Sequence, residues 1–293
     1  MQVTLTKIKT LFRAKPMATT IAIYIVFFIV ACLLFSYLRF PAIVFKPVVV
    51  SAAKDLGINM DVSQMDLVFP LGLSMTDVEV IPQKRARRGI HLEKLNIRPA
   101  LISSIFGNEK YILKAMAYGG TSAAEVGVYG KDLSVSFTFD DLNLGEVELL
   151  KKRKWFVLST ALSGSGNLEL PKGLLIKGSG DLDAKLNSGI VKLGKIFAPD
   201  VQPVIVSSGT ARLKMRGGRI EFNRFEVAGP QLSIKVTGSI NLTSAPRHSR
   251  LALTVAINLD KQLAEQLGPM GMIFSEGKKT FRVGGTLQDP ILR

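Results

Sequence analysis

Leu133-Ser134-Val135-Ser136-Phe137-Thr138-Phe139 places an apolar side chain at every second position, with Ser or Thr between. Successive side chains of an extended strand point to opposite faces, so a period of two marks a half-buried β-strand. The alternation recurs on both sides of this stretch. Before it come Ile58, Met60, Val62; then Met65, Leu67, Phe69; then Leu71, Leu73, Met75, with Val78 and Val80 following. After it come Leu182, Ala184, Leu186; Ala211, Leu213, Met215; Ile220, Phe222; Leu232, Ile234, Val236; and Leu251, Leu253, Val255, Ile257, Leu259. Gly119-Gly120, Gly164-Ser165-Gly166, Gly178-Ser179-Gly180, Gly217-Gly218 and Gly284-Gly285 are read as the turns between strands. The pattern predicts a mainly β, elongated, mostly antiparallel domain, a trough or a sandwich. Helix is predicted only over Val48–Leu56, ended by Gly57, and over Arg98–Phe106, Ile190–Phe197 and Lys261–Leu267.

Each such strand has one apolar face, which another sheet, a helix or a lipid must cover. Phe137, Phe139, Leu213, Phe222, Leu253 and Val255 are the candidate members of that core or groove. Weak repetition supports a recurring hairpin unit. Ser163-Gly164-Ser165-Gly166-Asn167-Leu168 is echoed by Lys177-Gly178-Ser179-Gly180-Asp181-Leu182 and, more loosely, by Thr237-Gly238-Ser239-Ile240-Asn241-Leu242. A glycine turn recurring wherever hairpins recur explains the echo equally well.

One segment breaks the β pattern. Met17 to Leu38 is 22 residues without a charge, against roughly 20 needed for a helix to cross a hydrocarbon core of about 30 Å. Lys7, Lys9, Arg13 and Lys15 precede it with no acidic residue. By the positive-inside rule 1–16 is then a cytoplasmic tail, 17–38 a single-pass anchor and 41–293 an exported domain. A cleaved signal peptide would have an apolar core of about 7–15 residues and a small-residue cleavage site. Ile29-Val30-Ala31-Cys32 has the form of a lipobox, although Leu33, Leu34 and Phe35 continue the apolar stretch past the cysteine. Either reading holds the domain at a membrane.

The 293 residues include 38 basic and 23 acidic ones, a net +15. Such a surplus suits anionic partners, namely phospholipid headgroups, lipopolysaccharide or an acidic protein. Nucleic acid is not expected outside the cytoplasm. Two clusters concentrate the charge, Lys84-Arg85-Ala86-Arg87-Arg88 and Lys151-Lys152-Arg153-Lys154. The second runs into Trp155-Phe156, which makes it a candidate membrane-surface patch; a solvated turn is the plainer reading of both. Cys32 is the only cysteine, so the exported part can form neither a disulfide nor a cysteine metal site.

Nothing in the spacing suggests catalysis. His91 and His248 are the only histidines. No Gly-x-Ser-x-Gly elbow occurs, and Gly271 to Lys278 has five residues between its glycines where a phosphate loop needs four. Asp140-Asp141 and Asp181/Asp183 are read as strand-end carboxylates. No enzyme activity, cofactor or metal is therefore expected.

Gly217-Gly218-Arg219-Ile220-Glu221-Phe222-Asn223-Arg224-Phe225-Glu226-Val227-Ala228-Gly229-Pro230, with Thr237 to Leu242, resembles the C-terminal part of AsmA-like envelope proteins and of the type II secretion protein GspN. The ending Arg282-Val283-Gly284-Gly285-Thr286-Leu287-Gln288-Asp289-Pro290 is similar to the same region. So is the opening, with its basic tail, single span, Phe40-Pro41 and Phe69-Pro70-Leu71-Gly72-Leu73. Size and order best fit the GspN group. That resemblance implies a non-enzymatic accessory of the type II secretion machine, anchored in the bacterial inner membrane with its bulk in the periplasm and other secretion-system envelope proteins as partners. The AsmA likeness implies an apolar β groove that handles phospholipid. Neither implies a catalytic residue.

Overall fold

The computed structural model describes residues 16–39, 44, 46–55, 58–68, 72–82, 89–100, 109–147, 156–193, 202–268, 271 and 277–292. The apolar run 17–38 lies in one helix, α1 (Pro16–Arg39), which at 24 residues and about 1.5 Å per residue is about 36 Å long. From Ile23 to Val30 every side chain is at least half exposed, two full turns with apolar groups on all faces. Side chains are described for only part of this helix, and among the described residues no helix is long and apolar enough to cross a membrane. A second helix, α2 (Lys46–Asp55), leads into the sheet.

Six strands follow as an uninterrupted meander: β1 (Ile58–Val68), β2 (Gly72–Pro82), β3 (Ile90–Pro99), β4 (Glu109–Ala117), β5 (Gly120–Tyr129) and β6 (Asp132–Asn143). Next come β7 (Phe156–Ser159), β8 (Ala161–Leu170), β9 (Ser179–Leu186), β10 (Gly189–Leu193) and β11 (Val204–Val206). The chain ends with β12 (Ser208–Arg216), β13 (Arg219–Ala228), β14 (Leu232–Asn241), β15 (Arg250–Leu259), helix α3 (Lys261–Gln266), β16 (Lys279–Gly285) and β17 (Pro290–Leu292). Fourteen strands join in chain order into one sheet, with β7, β10 and β11 set aside as a three-stranded sheet of their own. Every pairing is antiparallel. Among the described residues β1 and β17 are paired on one side only, so the sheet is not closed into a barrel.

Neighbouring strands alternate in direction. The start of β1, the ends of β6 and β9, the start of β12 and the end of β15 therefore lie along one long edge of the sheet. That edge carries α2, the three-stranded sheet and α3. Among the described residues the opposite edge carries turns, including two 3₁₀ turns over 171–177.

The fully packed core is small and sits at the β1 end. Val62, Met65, Met75, Val78 and Leu95 are buried together, with Val49 of α2 packed against them. Lys46 pins the helix there: its Nζ donates to the Val62 carbonyl and lies 3.2 Å from the Asp61 carboxylate. The Lys46 hydrogen bond, backed by the Val62 N–H, holds the Asp61 carboxyl below its ordinary pKa. Val62 and Met65, Met75 and Val78, and Leu92 and Leu95 all break the two-residue period at the same level of the sheet. Asp77 adopts a left-handed φ of 52° at this break. Elsewhere the apolar residues are mostly half-buried. The solvent-accessible surface is 20116 Å² for 31.9 kDa, against about 12,000 Å² for a compact monomer of that mass.

Several sequence expectations are corrected. Gly164-Ser165-Gly166 is not a turn but the middle of β8, and Gly180 lies within β9. A Cβ on Gly166 would stand 2.5 Å from the Asp181 carbonyl oxygen and 2.7 Å from Cζ of Phe137; one on Gly164 would stand 2.7 Å from Cζ of Phe139. The glycines leave room for the two rings to lie across the neighbouring strand, the usual reason for glycine in a strand interior. Ile190–Leu193 is strand β10 and not helix. Arg98 and Pro99 close β3 and Ala100 N–H donates to the Lys110 carbonyl, while 101–106 of that expected helix lie outside the described residues. Asp181 and Asp183 are mid-strand, while Asp140-Asp141 mark a bulge in β6 where Asp141 has φ 52°.

Gly166→Ala should destabilise the protein by about 1–3 kcal/mol, because the added methyl must displace either backbone or a phenylalanine ring. Thermal unfolding of the detergent-solubilised chain checks this; an unchanged midpoint would contradict the packing described.

Candidate functional site

Antiparallel partners that face each other directly share a face of the sheet, so the register can be followed from strand to strand. Starting on β1, Leu67 faces Leu73, which faces Ile97, then Leu113, Ala124 and Phe137. Phe137 faces Gly166, followed by Leu182, Leu213 and Phe222. Phe222 faces Gly238, then Leu253, Val283 and Leu292 on β17. This row crosses all fourteen strands and contains only apolar side chains and glycine. None of its members is fully buried. At about 4.8 Å between strands it is about 62 Å long.

Rows beside it have the same character. Tyr111, Val126, Val135 and Leu168 continue through Gly180, Met215, Ile220 and Ile240 to Leu251. On β6 alone the apolar positions Leu133, Val135, Phe137 and Phe139 span about 20 Å along the strand. The face is thus a strip long enough for several lipid molecules and wide enough for an extended acyl chain. At the β1 end the core under α2 closes it.

Four of the six candidate residues, Phe137, Leu213, Phe222 and Leu253, fall in the row that crosses the whole sheet. Phe139 and Val255 lie one row away on β6 and β15. The Phe137 and Phe139 rings stack at a centroid distance of 6.4 Å, and Phe222 meets Phe225 edge-on at 6.2 Å. The sequence reading did not single out Leu67, Leu73, Ile97, Leu113, Leu182 or Val283 for the groove. Each shows the period of two, but which residues share a row depends on the register between strands. The patch Lys151, Lys152, Arg153, Lys154 lies outside the described residues, as does Lys84–Arg88.

The other face is polar. Asp183 pairs with Arg212 at 2.9 Å, and Glu226 sits between Arg224 and Lys235, each at 2.8 Å. Hydrogen bonds from Lys235 first and Arg224 second hold the Glu226 carboxyl below its ordinary pKa. A shallow hollow of about 460 Å³ lies over the polar side chains Glu125, Ser136, Asn167 and Asp181. His91 lies 4.0 Å from Asp77. Among the described residues no group of three His, Cys, Asp or Glu is placed to hold a metal ion. What this arrangement offers chemically is a surface for apolar chains.

Compared with known protein families, curated proteins and solved structures, the chain matches none.

Phe137→Asp should cost about 2–4 kcal/mol, since it removes a ring from the strip and places a carboxylate there. Ser136→Asp, on the exposed polar face, should stay within about 0.5 kcal/mol of the parent. Equal losses in urea unfolding would refute the assignment of faces.

Proposed function

We propose that this chain is a non-enzymatic, membrane-anchored protein of the bacterial envelope that holds the acyl chains of phospholipid on the apolar face of its sheet. One observation carries the reading: a row of apolar residues crosses all fourteen strands and none of them is fully buried. Contiguous apolar patches beyond a few hundred Å² are rare on soluble monomers unless something covers them. A lipid tail is a suitable cover. Each methylene withdrawn from water contributes about 0.8 kcal/mol, so a sixteen-carbon chain offers on the order of 12 kcal/mol before ordering costs. In this reading α1 crosses the inner membrane, being apolar on every described face and at least half exposed from Ile23 to Val30. The domain then stands in the periplasm, and the strip leads away from the membrane strand by strand.

A second reading, an accessory of the type II secretion machine working through protein contacts, draws on the likeness of size and order to the GspN group. The hollow on the polar face, ringed by Glu125 and Asp181, favours it as a place where another envelope protein would sit. The two readings are compatible, because they use opposite faces of one sheet.

The full chain purified in mild detergent should carry phospholipid detectable by mass spectrometry, and Leu253→Lys should lower the bound amount at least several-fold while leaving the far-ultraviolet circular dichroism unchanged. Absence of lipid from the parent protein, with a domain that remains monomeric once detergent is withdrawn, would favour the protein-contact reading.

A further inference from the structure

The long edge opposite α2 carries a feature that neither face explains. Between β8 and β9 the chain makes two consecutive 3₁₀ turns over 171–177, and all seven residues are exposed. Three of them are large and apolar: Leu174 at 41%, Leu175 at 41% and Ile176 at 37% exposure. The turn is held in place from both sides. Lys172 N–H donates to the Asp132 carboxylate at 2.8 Å, tying it to the β5–β6 hairpin. Gly218 N–H donates to the Gly178 carbonyl at 3.2 Å, tying it to the β12–β13 turn. Gly218 has φ 76°, and a Cβ there would stand 2.4 Å from the Ile176 carbonyl oxygen, so the two turns are in close contact. Tyr129, 45% exposed, stands on the neighbouring hairpin.

Cations outnumber acids around this tip, where the exposed acids are Asp132 and Glu169. Lys131, Lys172, Lys177 and Arg216 are exposed, and none of them forms an ion pair among the described residues. The nearest acid on the tip itself, Asp132, is engaged by the Lys172 backbone. Arg219 is already paired with Glu221 at 3.3 Å. A projecting apolar tip with an aromatic and lysines around it matches the chemistry of an anionic bilayer surface. The apolar side chains enter the headgroup layer while the cations meet phosphate. A protein partner would more often present a recess for such a tip together with an acidic rim. The tip lies on the edge away from α2 and six to seven strands from β1, about 30 Å from the end of the sheet that α2 joins.

We propose that the 171–177 lip is a docking site for the surface of a second, anionic lipid bilayer. The proposal does not depend on the apolar strip holding lipid. It rests on the lip's exposure, its ties to two neighbouring turns and its unpaired cations.

The experiment places the full chain in phosphatidylcholine nanodiscs, which occupy α1, and measures co-flotation with vesicles at low salt. Discs should float with phosphatidylcholine vesicles containing phosphatidylglycerol and not with pure phosphatidylcholine vesicles. Lys172→Glu/Lys177→Glu should reduce flotation about tenfold or more, and Leu175→Asp comparably, the surface charges contributing severalfold each. As a reading free of folding losses, an environment-sensitive fluorophore on Leu175→Cys, in a Cys32→Ser background, should shift to the blue with the anionic vesicles only. Equal flotation with both vesicle types, undiminished flotation of the charge-reversed lip, or an unshifted fluorophore on floating discs would each overturn the proposal. So would a lip that floats with no vesicle and cross-links in cells to an envelope protein. A chain that fails to load into nanodiscs would count against the α1 anchor, and the fluorophore reading on the free chain would then decide the lip separately.

Discussion

A single-layer sheet has two faces, and water satisfies only a polar one. That constraint governs this molecule. Fourteen antiparallel strands keep a register in which apolar side chains face apolar side chains from Leu67 to Leu292, while Asp183, Arg212, Lys214 and Glu226 share the reverse face. A one-residue slip at any strand would send its apolar set to the polar face, so the row itself is the strongest determinant of register. Most small β domains resolve the constraint by folding a second sheet onto the first. Here the second sheet has three short strands along one edge; the buried apolar cluster lies at the β1 end beneath α2, with Val204, Val206, Leu263 and Ala264 buried in the small sheet and α3. The apolar side chains of the row are accordingly left half covered.

The glycines show how the strip stays smooth. Gly166 lies beside Phe137, Gly164 beside Phe139 and Gly238 beside Phe222. At Gly166 and Gly164 the ring of Phe137 or Phe139 takes the space that a side chain on the next strand would fill. The strip is therefore wide and low, without knobs that would divide it into pockets.

Much of this was legible in the residues. Leu133–Phe139 gave the strand period outright, and the helix expected over 48–56 and the turns at Gly119-Gly120 and Gly217-Gly218 follow from local chemistry, whereas Gly284-Gly285, read as a break, closes strand β16. The phase change between Val62 and Met65 is visible as two separate alternating runs. What local chemistry could not distinguish was a glycine in a turn from a glycine beneath an aromatic ring, because Gly-Ser-Gly reads the same until Phe137 and Phe139 are known to lie across the strand. Ile190, Val191 and Leu193 fit one turn of an apolar helix as well as a strand, and only pairing with β7 and β11 decides for β10. Of the groove, the sequence supplied the residue types on each strand. The alignment of fourteen strands into one row is a property of long-range register, which no local pattern carries.

The central claim is that apolar chains lie along this row throughout its length. Photo-cross-linking tests it most directly. Benzoylphenylalanine is placed singly at Ile97, Leu113, Leu182, Leu213 and Val283, and at Ser136, Asn167 and Lys214 on the reverse face, in cells whose phospholipids carry radioactive phosphate. The account predicts labelled adducts at every row position, from the β3 end to the β16 end, and none on the reverse face. Label at neither set, or at both equally, would contradict it.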